Sequence, residues 1–201
     1  MPSAVRTERF DEAIALIDEA NAADPNTVTV RGRSGPKELL HAYLITEWVQ
    51  RLAPDASQQL LLAARAHHIR RWEIPRDSYP PGRSGYLRWR RDLHTLHAQH
   101  AALALGEAGY DDETVQQVEQ IIRKYRLGKD PEVQVLEDAL CLVFLETQLD
   151  DTAAKLGDEA KTLEVLRKTW RKMSAAGREL ALQLPLSDRG HGLVETAIAA
   201  D

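Results

Sequence analysis

The sequence has one cysteine and no long apolar run, and both absences restrict what the protein can be. Cys141, as the single cysteine, cannot form a disulfide within the chain. No stretch approaches the ~18 apolar residues of a membrane span, and the N-terminus shows no apolar segment typical of a signal peptide. We therefore expect a cytoplasmic protein with no membrane partner.

An excess of positive charge is missing, and so are the common catalytic motifs. The net charge of −5 argues against a protein that coats nucleic acid by bulk electrostatics, although a local basic face is compatible with it. Nucleic acid is therefore not a favoured partner. The patterns GxxxxGK and GxSxG and the paired cysteines of zinc motifs do not occur, which excludes the enzyme classes that depend on them.

What the sequence does contain is repeated amphipathic helix. Apolar residues recur at helical spacing through segments that begin or end at Pro, Gly, Asp and Ser, which predicts an all-α fold of about seven helices. We predict helices at 6–23, 37–52, 56–72, 86–108, 113–126, 132–149 and 159–184. The glycine-rich segment Thr27 to Gly35 is interpreted as an extended loop, and the tail from Ser187 as loose.

A chain of 201 residues is most simply one domain. We predict a single helical domain over residues 1–201. Within it, 1–35 would supply an N-terminal helix and loop, 36–150 the core that carries the functional site, and 151–201 a C-terminal helix and tail.

The segment LLLAARAHHIRRW at residues 60–72 contains the most informative side chains. Its apolar run predicts a buried helix with His67 and His68 at the C-terminal end. Buried imidazoles need hydrogen bonds or a metal, and two neighbouring imidazoles repel each other when both are protonated. The pair therefore favours the neutral form that can bind a metal.

This segment resembles the HDIGK segment of HD-domain metal-dependent phosphohydrolases, with His68 at the position of the family's aspartate. The resemblance implies an HD-like helical bundle and four metal ligands, His41, His67, His68 and Asp138. Histidines with one carboxylate suit one divalent transition metal, Zn, Fe, Mn, Co or Ni. By residue type alone, a single histidine on a helix is more often a hydrogen-bonded core residue than a metal ligand.

More narrowly, the chain is similar to an uncharacterised bacterial and fungal family in that superfamily, whose members are sometimes labelled glutamyl-tRNA synthetases. RKMSAAG at residues 171–177 resembles a KMSKS loop and HHIR resembles a HIGH motif. The first lies in a helical pattern and the second lacks its glycine. Since the alternating strands and helices of a Rossmann-like catalytic domain are also missing, we predict no aminoacylation.

His94, His97 and His100 form a second group, with a spacing of three residues on one predicted helix. The resemblance places His97 beside the metal or the substrate, whereas His94 and His100 are equally compatible with an exposed helix face. The next ligand histidine of the superfamily has no counterpart, because Lys124 and its neighbours Arg123 and Arg126 occupy that segment. This favours one metal over two.

A basic and aromatic cluster between Arg65 and Arg91 completes the candidate site. Arginines present planar donors to phosphate or carboxylate, so we predict that Arg70 and Arg71 contact a small anionic, phosphate-bearing substrate, with Glu137 in an acid–base or supporting role. The function favoured is a metal-dependent hydrolase of a phosphoester or nucleotide. A non-catalytic module that binds nucleotide or RNA and an HD-like iron oxygenase are the alternatives, and structural ion pairs would explain many of the arginines.

Overall fold

A computed structural model describes residues 7–199, and within this range the chain forms nine α-helices and one short hairpin. The helices are α1 Glu8–Ala22, α2 Lys37–Leu52, α3 Gln58–Ala66, α4 Arg83–Glu107, α5 Asp112–Ile122, α6 Pro131–Leu156, α7 Glu159–Lys172, α8 Ala175–Ala181 and α9 Asp188–Ile198. The all-α prediction is confirmed. In the described part of the chain, every helix is too short or too polar to cross a membrane.

The long helix α6 lies at the centre of the bundle. It packs against α2, α3, α5, α7, α8 and α9. Leu136, Ala139 and Leu142 on α6 have no exposed surface, as expected for a helix that is surrounded by others. Asp130 accepts hydrogen bonds from the first amides of α6, and Pro131 occupies its first turn, so the local sequence fixes where this helix begins.

The start of α2 is set by a residue from another segment. Pro36 at the N-cap position offers no side-chain acceptor. Instead, the buried carboxylate of Asp24 accepts a hydrogen bond of 3.0 Å from the backbone N–H of Glu38. This contact replaces the missing cap and holds the first turn of α2, which carries Glu38 and His41.

Four features differ from the sequence-based predictions, two of them in the N-terminal half. The segment predicted as a loop forms an antiparallel hairpin of β1 Thr27–Val30 and β2 Arg33–Pro36. Its two-residue turn is formed by Arg31 and Gly32, both with positive φ, the geometry that matches the twist of paired strands. The predicted helix 56–72 ends at Ala66, and the chain continues through turns and two short 3-10 segments, Arg71–Glu73 and Arg76–Ser78.

The C-terminal part also differs. The single helix predicted for 159–184 is divided into α7 and α8, because Met173 is extended and Ser174 caps a new helix. The tail predicted to be loose forms α9, which Ser187 caps and which buries Leu193, Val194 and Ala197. Apolar burial therefore orders a segment whose sequence looked weakly structured.

Candidate metal centre and anion-binding cavity

A cavity of about 450 Å³ lies among α2, α4, α6 and α7 and the turn after α3. Its volume falls in the range of small-molecule sites. Histidines line one region, cationic side chains a second and apolar side chains a third.

Glu38, His41 and His68 form the centre of the histidine region. Each of these residues offers one potential metal-ligand atom, and the three atoms all lie within 4.8 Å of one another. Glu38 Oε2 is 3.4 Å from His68 Nδ1 and 3.8 Å from His41 Nδ1. Glu38 and His41 are three residues apart and therefore share one face of α2, while His68 reaches them from the turn after α3.

His67 and His97 extend this group. The ring centroid of His68 is 4.7 Å from that of His67 and 5.7 Å from that of His97. The Nδ1 atom of His97 lies 2.8 Å from the carbonyl oxygen of Ile69. Since a carbonyl can only accept, Nδ1 donates this bond and Nε2 carries the lone pair, as in metal-binding histidines whose second nitrogen is held by a hydrogen bond.

Several polar atoms of this group are buried without a hydrogen bond. Among residues 7–199, no hydrogen-bond partner is found for Glu38 Oε2, His67 Nδ1, His68 Nδ1 or His97 Nε2. Each such atom costs about 1–3 kcal/mol of stability. Nitrogen and carboxylate donors that are buried together in this state are chemically suited to a divalent transition metal.

The electrostatics keep the imidazoles neutral. Burial, followed by the charge of neighbouring His68, holds the pKa of His67 well below 6.5. Burial and the charge of Arg71 do the same to the pKa of His68. Burial also lowers the pKa of His97 to about 3 and that of His94 to about 4. Neutral imidazole is the form that ligates metals.

The cationic region is formed by Arg71, Arg90, Lys124 and Lys172. Lys124 forms an ion pair with the buried carboxylate of Glu137, and Lys172 Nζ lies 3.6 Å from Glu137 Oε1. Burial by itself raises the pKa of Glu137, but the charge and hydrogen bond of Lys124, together with the charges of Lys172 and Arg90, outweigh burial, and the pKa is lowered. Glu137 is therefore a carboxylate at neutral pH.

Arg71 is held in place by aromatic packing. Its guanidinium carbon lies 4.9 Å from the centroid of the Trp89 ring, a cation–π distance. The indole of Trp89 is itself held by a hydrogen bond of 2.8 Å from Nε1 to the carbonyl of Ile74. The arginine head is thus oriented toward the cavity that it lines.

The structure brings together six of the eight predicted site residues, which all line the cavity: His41, His67, His68, His97, Arg71 and Glu137. It does not bring Asp138 or Arg70 there. Arg70 instead donates a hydrogen bond of 2.9 Å to Glu73, whose other oxygen contacts His100 at 3.0 Å. His100 is thereby also directed away from the cavity.

Asp138 has a structural environment in place of the predicted ligand position. Its carboxylate accepts hydrogen bonds from Gln134 Nε2 at 3.0 Å, from Ser174 N at 2.8 Å and from Ser174 Oγ at 2.5 Å. Neighbouring residues of a helix point about 100° apart. Because Glu137 faces the cavity, Asp138 faces the junction of α7 and α8. The predicted role of Asp138 as a metal ligand does not fit this position.

The sequence-based predictions gave no site role to Glu38, which contacts His41 and His68, or to Lys124, which lines the cavity. A signal for Glu38 was present, because the pattern Glu-x-x-His at the start of a helix puts both side chains on one face. No comparable local signal marks Lys124. Its φ of 56° belongs to the left-handed region, which few residues other than glycine adopt, and this backbone turns the side chain toward Glu137.

Comparison with known proteins gives one match. The chain matches the family described as a domain of unknown function (DUF4202) over residues 11–194, which is most of its length. No curated protein and no solved structure matches it.

Proposed function

The chain belongs to the DUF4202 family, and we propose that it is a metal-dependent hydrolase that acts on a small anionic substrate, with a phosphoester as the favoured class. The observation that carries this proposal is the buried set of ligand atoms on Glu38, His41 and His68, together with the unpartnered Nε2 of His97. The sequence resemblance to HD-domain phosphohydrolases supports the same chemistry.

Glu38, His41 and His68 would hold one divalent transition metal, and the buried Nδ1 of His67 or Nε2 of His97 is available to complete the set. When bound, such a metal supplies Lewis acidity, which lowers the pKa of a coordinated water and polarises a phosphoryl oxygen. The replacement of the superfamily's aspartate by His68 leaves one carboxylate among these ligands, which fits one metal better than two.

The other cavity residues would bind and orient the substrate. Arg71, Lys124 and Lys172 bring positive charge into a partly enclosed space, where it interacts with an anion more strongly than in bulk water. Arg71 is pre-oriented by Trp89. Burial lowers the pKa of Lys124, and the ion pair with Glu137 opposes this effect and holds the ammonium group at the cavity. The carboxylate of Glu137 can accept a proton from a nearby water.

Metal content of the purified protein tests the proposal most directly. We expect about one equivalent of a transition metal in the wild type after expression in supplemented medium, and loss of most of it in Glu38→Ala and His68→Ala. His191→Ala, an exposed histidine on α9, is the matched control and should keep the metal. A wild type without metal under these conditions would contradict the proposal.

The ligand set can be resolved further with a second pair of variants. We expect His67→Ala to lose most of the metal and His94→Ala to keep it, because His67 adjoins His68 and carries an unpartnered buried nitrogen. Elemental analysis of both variants is the measurement. Equal metal content in the two would remove His67 from the set.

Turnover separates hydrolysis from the alternatives. The metal-loaded protein should release phosphate from p-nitrophenyl phosphate without oxygen, and Arg71→Met should reduce that rate while it retains the metal. Turnover that requires oxygen would favour the iron oxygenase instead. A protein that binds phosphate but shows neither metal nor turnover would favour the binding module.

A further inference from the structure

Two helices present matching stripes of side chains to the cavity. On α6, Glu137, Leu140, Phe144 and Gln148 recur at steps of three or four residues and all line it, as do Val165, Lys168, Thr169 and Lys172 on α7. Such spacing puts each set on one helix face. The helices run in opposite directions, because the short turn at Gly157 connects them.

The stripes are aligned so that their charged side chains lie together at one end of the cavity wall and Phe144 and Val165 lie further along it. At one end, Lys172 lies 3.6 Å from Glu137, beside Lys124. In the middle, the carbonyl of Thr169 lies 4.0 Å from the thiol of Cys141, the residue next to Leu140. Further along, Phe144 and Val165 follow on the two helices. From Glu137 and Lys172 to Phe144 and Val165 the wall therefore changes from charged to apolar, and Lys168 and Gln148 are the polar side chains that also line this second part.

The charged end carries more positive than negative charge. Arg71, Arg90, Lys124 and Lys172 line the cavity, and the carboxylates near them are Glu38 and Glu137, so two positive charges are in excess. The charge of Lys168 is compensated by Glu164, since Lys168 Nζ lies 2.5 Å from Glu164 Oε1. Partly buried charge without a counter-ion is unfavourable, and a bound anion would compensate it.

We propose that the ligand of this cavity is an amphipathic monoester, with an anionic phosphate head between Arg90, Lys124 and Lys172 and an uncharged apolar tail along Leu140, Phe144 and Val165. This inference rests on the proposed function for the position of the head beside the metal ligands. It narrows the substrate class, because Leu140, Val143, Phe144 and Val165 supply apolar side chains against which a tail can be buried. An alkyl tail gains free energy from that burial, whereas sugar hydroxyls placed against the same side chains would lose hydrogen bonds to water.

A series of phosphate compounds measured by calorimetry tests the tail. Inorganic phosphate, methyl, butyl and hexyl phosphate are titrated into zinc-loaded and into chelator-treated protein. We expect the affinity to rise by up to about fourfold for each methylene that becomes buried. Equal affinity for hexyl phosphate and inorganic phosphate would overturn the proposal.

Two variants assign the head and the tail separately. Phe144→Ser should abolish the gain from hexyl over inorganic phosphate and leave inorganic phosphate binding unchanged, since Phe144 is partly exposed and lies about two helical turns along α6 from Glu137. Lys172→Met should weaken binding of every compound by about tenfold, as expected for one lost charge-assisted contact. If Phe144→Ser does not fold, as judged by circular dichroism, Val165→Ser carries the same test.

Matched controls come from helix α4. Leu103→Ser removes an apolar side chain that is 70% exposed, and Arg91→Met removes a cation whose side chain is 75% exposed. Neither residue lines the cavity, and neither variant should change the affinity for any of the phosphate compounds. If Phe144→Ser weakens inorganic and hexyl phosphate equally, the tail site is wrong. If chelator-treated protein still binds hexyl phosphate more tightly than inorganic phosphate, while the purified protein shows neither metal nor turnover, the hydrolase proposal is contradicted. The proposal of an amphipathic ligand would be supported by the same result.

Discussion

Two polar clusters join α2 to the middle of the bundle, and they differ in how far their hydrogen bonds are satisfied. In the first, Arg31 donates to both oxygens of Glu146, at 2.6 and 3.0 Å, and to Glu47, while Trp48 Nε1 donates to Glu146 at 3.0 Å. In the second, around His68, four buried atoms have no hydrogen-bond partner in the described range 7–199. The hydrogen bonds of the first cluster are satisfied within the protein, whereas the second leaves buried polar atoms without a partner, which the metal proposed above would satisfy.

The comparison extends to two neighbouring carboxylates on α6. Asp138 belongs with the complete clusters, because three donors from Gln134 and Ser174 surround it. Glu137, one residue earlier, lines the cavity and meets two lysines. Polar residues that are equally buried can thus serve the fold or the site, and the difference lies in their partners.

The largest expected effect on stability is at Asp138. Asp138→Ala should lower the free energy of unfolding by about 3 kcal/mol, because it leaves the half-buried Ser174 amide unpaired and removes the link between α6 and the start of α8. Chemical denaturation is the measurement. Metal content should stay at the wild-type level, and loss of metal without loss of stability would return Asp138 to the ligand set.

The Arg31 cluster should respond next. Glu146→Ala removes the acceptor for Arg31 and for Trp48, and we expect a loss of about 2 kcal/mol. This is less than for a fully buried pair, because the Arg31 side chain is 39% exposed. Thermal and chemical unfolding would show it, and Glu47→Ala, which removes a half-exposed partner, is the milder control.

The pH dependence of stability isolates the unsatisfied cluster. The pKa of His97 is lowered by burial to about 3, so between pH 3 and 6.5 the unfolded chain binds a proton that the folded protein refuses. Stability therefore falls as the pH falls through 6.5, by about 1.4 kcal/mol per pH unit for each such histidine.

His97→Asn should reduce this slope, since asparagine does not titrate and keeps a donor near the position of Nδ1. The measurement is unfolding of both proteins in chelator between pH 7 and pH 5. If the free energy of unfolding falls equally steeply with pH in the two proteins, His97 is protonated in the folded protein at no cost in stability, and the prediction is wrong.

The smallest expected effect is at His68, and its sign is informative. In metal-free protein, His68→Leu should change stability by less than about 1 kcal/mol or increase it, because an apolar side chain replaces a buried nitrogen without a partner. The same variant should bind no metal. A loss as large as that of Asp138→Ala would indicate that His68 is a structural residue.

The sequence determined the helices whose start and stop signals are local. Asp111, Asp130 and Pro131 occupy the predicted helix starts, and the histidine pair lies at the predicted end of an apolar run. The hairpin and α9 were missed, because each is stabilised from outside. Arg31 anchors the hairpin to Glu47 and Glu146, 16 and 115 residues away, and α9 packs on α6 and α7.

By itself, then, the sequence determined an all-α chain with an imidazole pair at a buried helix end, because helix periodicity and capping act over a few residues. The tertiary structure decided which side chains share the cavity. It turned Glu137 toward the cavity and Asp138 toward the junction of α7 and α8, and it brought Glu38 against His68 from a helix 30 residues earlier. Those choices depend on how each helix is rotated about its axis, which is set by packing between distant segments.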